Sequence, residues 1–241
     1  MNIIIDIGNS KIKLALFKKD EIITKFLFNE LNNDVFDYLK TKNLKNSNLI
    51  ISSVKKIDEK LILKLKEYVK NVILLDDSLK LPIKNNYKDK KTLGYDRIAA
   101  AVGANYLSSN DNNLIIDIGT AITIDLVVDN IFMGGNISPG IDIRYKALNN
   151  FTDKLPLLNN RENIDFLYGD TTQTSIISGV INGIVYEIQG AIDGFNDKFK
   201  NINIFITGGD AFFFDKKIKR SIFVNSNLVL IGLNEILKIN V

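Results

Sequence analysis

Two stretches of this 241-residue chain set an aspartate and a glycine at matching spacing after an apolar run, each followed closely by a hydroxyl: Asp6-Ile7-Gly8-Asn9-Ser10 and Asp117-Ile118-Gly119-Thr120. A glycine lets backbone amides approach a ligand closely, and a carboxylate at the end of a buried strand is poised to hold a cation. Alone, an Asp-x-Gly between apolar runs is also the pattern of an ordinary hairpin. The copy raises it above that. Two such hairpins facing one another across a cleft suit phosphoryl transfer, because a carboxylate repels phosphate unless a cation such as Mg²⁺ stands between them. Transfer to an alcohol also needs a carboxylate to orient the hydroxyl and accept its proton. Asp96, in Gly94-Tyr95-Asp96-Arg97, is the candidate, since it lies outside both hairpin turns. Its position also fits the N-cap of the alanine-rich helix that follows, while an Asp-Arg pair at a helix start can hold a base and an anion site together.

Two further stretches are glycine-rich. Gly134-Gly135-Asn136-Ile137-Ser138-Pro139-Gly140 reads either as a plain turn or as backbone lying close against a ligand before a helix through Leu148. Thr207-Gly208-Gly209 ends an apolar strand and precedes a short helix, an arrangement in which a nucleotide's adenosine can lie against backbone.

The elements that must position these residues follow from periodicity. Ile3–Ile7, Ile12–Phe17 and Ile22–Phe28 read as an antiparallel meander. Leu31, Val35, Phe36 and Leu39 have helical spacing, and Leu49–Val54, a helix from Ile57 to Val69, and Val72–Leu75 follow. Asp76–Leu93 is polar with little periodicity, the kind of long loop that is often functional; its basic part, Lys84–Lys91, reads as a solvated loop or as a funnel for an anionic substrate. The second half repeats the meander with Leu114–Ile118, Ile122–Val128 and Ile131–Met133. A long helix then occupies much of Gly169–Phe199, and its pairs Gly179/Gly183 and Gly190/Gly194 predict close approach of another element. Asp6 and Asp117 are 111 positions apart, close to half the chain, which points to duplication of one module and to domains at 1–110 and 111–241. The implied fold class is α/β, with mixed sheets flanked by helices.

Composition narrows the chemistry. With no cysteine and no histidine, there is no thiol nucleophile, no Ser-His triad and no ordinary zinc site. Any general base is Asp, Glu, Lys or Tyr, and any metal a hard, oxygen-ligated ion. A net charge of +3, with lysine pairs such as Lys55-Lys56 set near Asp58, does not indicate a nucleic-acid groove. Asn182, Glu187, Gln189 and Asp193 interrupt the longest apolar-rich stretch, so no membrane span and a cytoplasmic location are expected.

Taken together, the motifs resemble the acetate and sugar kinase, Hsp70 and actin superfamily, and within it the chain is similar to the type III pantothenate kinases. The resemblance runs in order through the Asp6, Gly94–Arg97, Asp117, Gly134–Gly140 and Thr207–Gly209 motifs and covers nearly the whole chain. It implies two duplicated actin-like (ribonuclease H-like) domains with a cleft between them. It further implies a homodimer that uses ATP, Mg²⁺ and a monovalent cation, K⁺ or NH₄⁺, to phosphorylate pantothenate to 4'-phosphopantothenate, the first step of coenzyme A synthesis. By position, Asp6, Ile7, Gly8, Asn9, Ser10, Lys11, Ile12 and Lys13 would bind the ATP phosphates, with Asp6 on Mg²⁺. Thr120, Gly208 and Gly209 would complete the nucleotide site, and Asp117 would hold the monovalent cation. Asp96 would be the base, and Tyr87, Gly94, Tyr95, Asp96, Arg97 and Thr172 would contact pantothenate, Thr172 from the partner subunit. Arg97 is the natural partner for its carboxylate. The sequence departs from the family pattern at Ser10, usually threonine, and in Lys88–Thr92, which lacks a proline after Tyr87. The alignment at Thr172 also admits Thr171 or Thr174. Kinases for other small alcohols, phosphatases and non-catalytic regulatory relatives share the superfamily motifs; retention of Asp6, Asp96 and Asp117 argues against lost catalysis, because each costs desolvation without a ligand to offset it.

Overall fold

The computed structural model describes residues 1–30, 33–42, 44–109, 112–159, 161, 164–199 and 201–241. Leu31 and the expected domain boundary at 110/111 lie outside the described residues. The chain forms two compact units, Met1–Asn110 with Val128–Met133 and Asn227–Val241, and Asp111–Val127 with Gly134–Ser226.

The first unit begins with β1 (Asn2–Ile7), β2 (Ile12–Lys18) and β3 (Glu21–Phe28), followed by α1 (Asn33–Thr41), β4 (Asn48–Ser53), α2 (Glu59–Lys66) and β5 (Asn71–Leu74). The strand order is β3-β2-β1-β4-β5, with β1 antiparallel to β2 and parallel to β4. As the central strand, β1 buries Ile3, Ile4 and Ile5 completely, which is why it reads as an unbroken apolar run rather than an alternating one. On one face, Ile3 and Ile5 join Val35, Phe36 and Leu39 of α1 and Leu65 of α2 in a single cluster. Asp58 caps α2, accepting from the Lys60 amide at 3.0 Å. The long polar loop is pinned by β6 (Lys84–Asn85), which pairs parallel with Ile131 and Phe132, and ends in a 3₁₀ turn over Lys90–Thr92. The alanine-rich α3 spans Tyr95–Leu107.

The second unit contains β7 (Asn113–Ile118), most of β8 (Ala121–Val128) and β9 (Ile131–Pro139), whose Val128 and Ile131–Met133 belong to the first unit, then α4 (Ile141–Asn150), α5 (Thr172–Lys198), β10 (Asn203–Thr207), α6 (Ala211–Asp215) and β11 (Phe223–Val224). The sheet order is β11-β10-β7-β8-β9-β6, and apart from β6 it is the order of the first unit read from the other edge: third, second, first, fourth and fifth strand. The duplication inferred from Asp6 and Asp117 is therefore a duplication of sheet topology.

Two sequence expectations change here. Gly134–Pro139 is not a turn but the second half of β9, and Gly135 lies against the protein's own backbone. A Cβ at Gly135 would fall 1.9 Å from the Ile124 carbonyl oxygen, so β9 can lie tight on β8 only without a side chain there. In α5, a Cβ at Gly179, Gly190 or Gly194 would meet nothing within 4 Å, and at Gly183 only the Arg144 guanidinium at 3.7 Å. Among the described residues, no element uses those glycines for close approach. The opposite face carries the packing, burying Ile176, Ile177, Val180, Ile181, Ile184, Ile188 and Ile192. Among the described helices α5 alone is long and apolar enough to cross a membrane by length and composition.

The last helix, α7 (Leu228–Lys238), belongs to the first unit and crosses α3 with backbone against backbone. A Cβ at Gly232 would lie 1.8 Å from the Ala99 carbonyl oxygen, and one at Gly103 would lie 2.2 Å from that of Leu228. Asn234 fixes α7 on the sheet: its side chain accepts from Asn2 Nδ2 at 2.9 Å and donates to the Lys19 carbonyl at 3.0 Å. The small residues of α3 are thus a docking surface for α7.

Candidate functional site

Asp6 is the most constrained carboxylate of the first unit. It ends β1 with 7% of its surface exposed, directly across from Lys13 on β2 and beside Ser52 on β4. Burial, and then the charge of Asp96, push its carboxyl up from 3.8 to about 6, against the pull of Lys13 and of a hydrogen bond from Ser52. After Asp6 the chain turns through Gly8–Lys11, closed by the Gly8 amide donating to the Lys11 carbonyl at 3.1 Å. Asn9, Ser10 and Lys11 are exposed, and Lys11 Nζ donates to Asn29 Oδ1 at 2.6 Å.

Asp96 is not the N-cap of α3. That position is Gly94, and Asp96 lies in the first helical turn, where its carboxylate accepts from the Arg97 amide at 2.9 Å. A negative charge is favoured there by the helix dipole. A Cβ at Gly94 would come within 2.6 Å of Asp96 Oδ1, so the glycine leaves room for this carboxylate. Arg97 is buried, with 6% exposed, and its guanidinium carbon stands 5.5 Å from the centre of the Tyr87 ring. Tyr87 is held in turn by its amide donating to Asn85 Oδ1 at 2.9 Å and by a ring contact with Phe132. Tyr95 instead lines a cavity of about 200 Å³ with Asp76, Asp77 and Leu93; burial, with the charges of Asp77 and Asp76, raises its hydroxyl.

In the second unit, Asp117 occupies the place of Asp6. The turn differs: Ile118 faces Ile122 across three residues, whereas Ile7 faces Ile12 across four. Gly119 and Thr120 are covered by the start of α4, where the Gly140 amide donates to the Thr120 carbonyl at 3.1 Å and a Cβ would fall 2.1 Å from the Gly119 oxygen. Gly208, with φ of +100°, turns the chain after β10 so that the Asp210 amide donates to the Ile118 carbonyl at 3.0 Å. A side chain at Gly208 would strike Asp117, while Gly209 next to it opens on empty space. Arg161 bridges Asp210 and Asp142, holding this turn to the first turn of α4.

Thr172 opens α5 and lines a groove of about 860 Å³ with Arg144, Leu148, Ile176 and Gly179. Thr171 and Thr174 form the capping box of α5, which commits their hydroxyls to the helix start, and Thr172 takes no part in it. Arg144 in the groove wall pairs with Glu187, which also accepts from Ser138.

The first unit thus assembles Asp6, Lys13 and Asp96 in one electrostatic field with Arg97 and Tyr87 on the same loop and helix start. The second unit assembles Asp117, Gly119, Thr120, Gly208 and Gly209, with Thr172 in a separate groove. The family model described as type III pantothenate kinase matches residues 2–194. The type III pantothenate kinase of Phocaeicola vulgatus is 42% identical over 242 residues, covering 100% of this chain and 99% of the relative. The chain belongs to the type III pantothenate kinase family. Such enzymes are ATP-using kinases that phosphorylate pantothenate in coenzyme A biosynthesis. Among solved structures, a Campylobacter jejuni protein described as a conserved Baf family transcriptional activator is 26% identical with a TM-score of 0.65, covering 99% of this chain and 98% of that one. MreB5 of Spiroplasma citri bound to ADP, 13% identical with a TM-score of 0.51 over 99% and 96% of the two chains, shares the actin-like fold.

The kinase also holds residues that sequence reasoning passed over. Ser52 sits beside Asp6, and Thr207, quoted only as the start of a glycine motif, is in register with Asp117. Neither stands near its aspartate in sequence; only the parallel pairing of strands brings them together.

Proposed function

We propose that this kinase transfers the γ-phosphoryl group of ATP to the primary hydroxyl of pantothenate with Asp96 as the base. The hydroxyl oxygen bonds to the γ-phosphorus, the bond from that phosphorus to the ADP oxygen breaks, and the proton passes to the Asp96 carboxylate. What supports this reading is the place of Asp96 in the first turn of α3, where its carboxylate accepts from the Arg97 amide at 2.9 Å and its charge, second to burial, helps to raise the Asp6 carboxyl. Two carboxylates in one field, one buried at the phosphate turn and one more open at a helix start, divide naturally into a cation holder and a proton acceptor.

Asp6 fits Mg²⁺. Among the described residues no three carboxylates cluster, and Mg²⁺ bound beside nucleotide needs only one or two carboxylates plus substrate phosphates. When bound, Mg²⁺ supplies the positive charge that lets a carboxylate and a triphosphate share one turn. Backbone and side chains of Gly8 to Lys13 orient the phosphates, Lys13 adding a fixed positive charge. Arg97, with its guanidinium steadied by the Tyr87 ring, receives the pantothenate carboxylate, and Gly94 and Tyr95 shape that end of the pocket. Gly208 and Gly209 lie under the adenosine and Thr120 contacts the phosphates. Asp117 fits a monovalent cation, which neutralises its charge next to nucleotide. The enzyme acts as a homodimer in the cytoplasm, without nucleic acid or membrane. The stripe of Gly179, Tyr186, Gly190 and Gly194 on α5, which no described residue covers, supports the dimer, and Thr172 at its head reaches the partner's pantothenate.

Pantothenate-dependent ADP release, measured against a panel of other small alcohols, tests the substrate assignment. Turnover is expected with pantothenate, and only with Mg²⁺ together with K⁺ or NH₄⁺. Turnover with another alcohol and none with pantothenate under those ions overturns it.

A further inference from the structure

The two repeats share a feature that the roles above do not use. Ser52 on β4 is in register with Asp6 on β1, and Thr207 on β10 is in register with Asp117 on β7. Both pairs are parallel, and residues in register on neighbouring strands project from the same face of the sheet. Each hydroxyl residue is 1% exposed, so its O–H cannot turn to water and must find an acceptor in the protein. For Ser52 that acceptor is the Asp6 carboxylate. A sheet interior has no general need for a hydroxyl at this position: the preceding residues Leu49, Ile50 and Ile51 on β4 are apolar and fully buried. In both halves a buried hydroxyl stands in register with the aspartate of the neighbouring strand.

We infer that Ser52 is a positioning residue that fixes the Asp6 carboxylate for a divalent cation beside nucleotide, and that Thr207 is its counterpart for Asp117. The inference rests on the reading of Asp6 as the Mg²⁺ holder. A carboxylate at a strand end can swing about two side-chain bonds; a buried donor occupying one lone pair leaves the remaining lone pairs aimed at the turn. Partners of this kind beside metal-holding groups typically change metal affinity about 10- to 100-fold when removed.

The test is Mg²⁺-dependent ADP binding by calorimetry on the full chain, with the Mg²⁺ requirement of turnover measured alongside. Ser52→Ala is expected to raise the half-saturating Mg²⁺ about tenfold, with kcat at saturating Mg²⁺ near wild type and ADP affinity without Mg²⁺ unchanged. Ser52→Thr, which installs the residue used by the second repeat, restores the Mg²⁺ requirement to within about twofold. Thr207→Ala leaves the Mg²⁺ requirement alone and raises that for the monovalent cation. A Ser52→Ala protein that melts earlier but keeps the wild-type Mg²⁺ dependence overturns the inference, provided Asp6→Asn abolishes that dependence. If Asp6→Asn also leaves it intact, the assignment of Asp6 fails instead.

Discussion

Replacing Asp6 by asparagine is predicted to stabilise the nucleotide-free protein at neutral pH while disabling it. Burial is the main reason that Asp6 titrates near 6 rather than 3.8, with Asp96 adding repulsion and Lys13 and Ser52 offsetting part of both. A rise of that size means that the ionised carboxylate costs the folded state about 3 kcal/mol. Because the folded-state value is raised, the protonated group's contribution is fully present below about pH 3.8 and is lost as pH climbs through about 6. Asparagine keeps the shape and the acceptor for Ser52 but carries no charge. Denaturant unfolding without Mg²⁺ or nucleotide should therefore give equal stabilities for wild type and Asp6→Asn near pH 4. The difference should open between about pH 4 and 6 and level off at about 3 kcal/mol in favour of the variant above pH 7. Saturating Mg²⁺ and ADP should then raise the wild type and leave the variant almost unmoved. A variant no more stable than wild type at pH 7.5, or a difference that does not change with pH, would refute the argument that a desolvated charge is stored at this position for a cation to neutralise.

The crossing of α3 and α7 makes a second, independent prediction. Gly232→Ala forces a methyl to within 1.8 Å of the Ala99 carbonyl, so α3 and α7 must separate; a loss of about 3 kcal/mol or more is expected in unfolding experiments, and a loss under about 1 kcal/mol would show that the crossing is not tight. Tyr186→Glu, on the stripe of α5 where the side chain is 62% exposed, should turn the proposed dimer into a monomer by light scattering with the circular dichroism spectrum unchanged. A variant that stays dimeric places the interface elsewhere.

Much of the first unit is legible from the chain because its central strand is buried on both faces and apolar residues such as Val35, Phe36, Leu39 and Leu65 of its helices are buried against it, although Ile23, Leu27 and Leu63 are exposed. The two aspartates are legible because each ends such a strand and is followed by a glycine. The exceptions have a common physical cause. Gly135 and Gly140 read as turn glycines because nothing local reveals that the carbonyls of Ile124, Gly119 and Thr120 press on them. Asp96 reads as a cap because a helix start inferred from sequence is uncertain by a turn, and Gly94 serves as a cap without any side chain to announce it. Ser52 and Thr207 depend on the pairing of strands far apart in sequence. The grouping of α7 with the first unit depends on Gly103 and Gly232 meeting across more than half the chain. In each case the deciding contact is long-range and made by backbone or by a single small side chain, which leaves no periodic trace.

The central claim is that Asp96 accepts the proton while Asp6 and its neighbours hold the phosphates. Steady-state turnover of Asp96→Asn with pantothenate, ATP, Mg²⁺ and K⁺, read beside ADP affinity of the same preparation, tests it most directly. A fall in kcat of about a hundredfold or more with ADP affinity unchanged is the predicted result. An Asp96→Asn enzyme turning over within a few-fold of wild type would contradict it and leave Asp96 as a charge that only stabilises the start of α3.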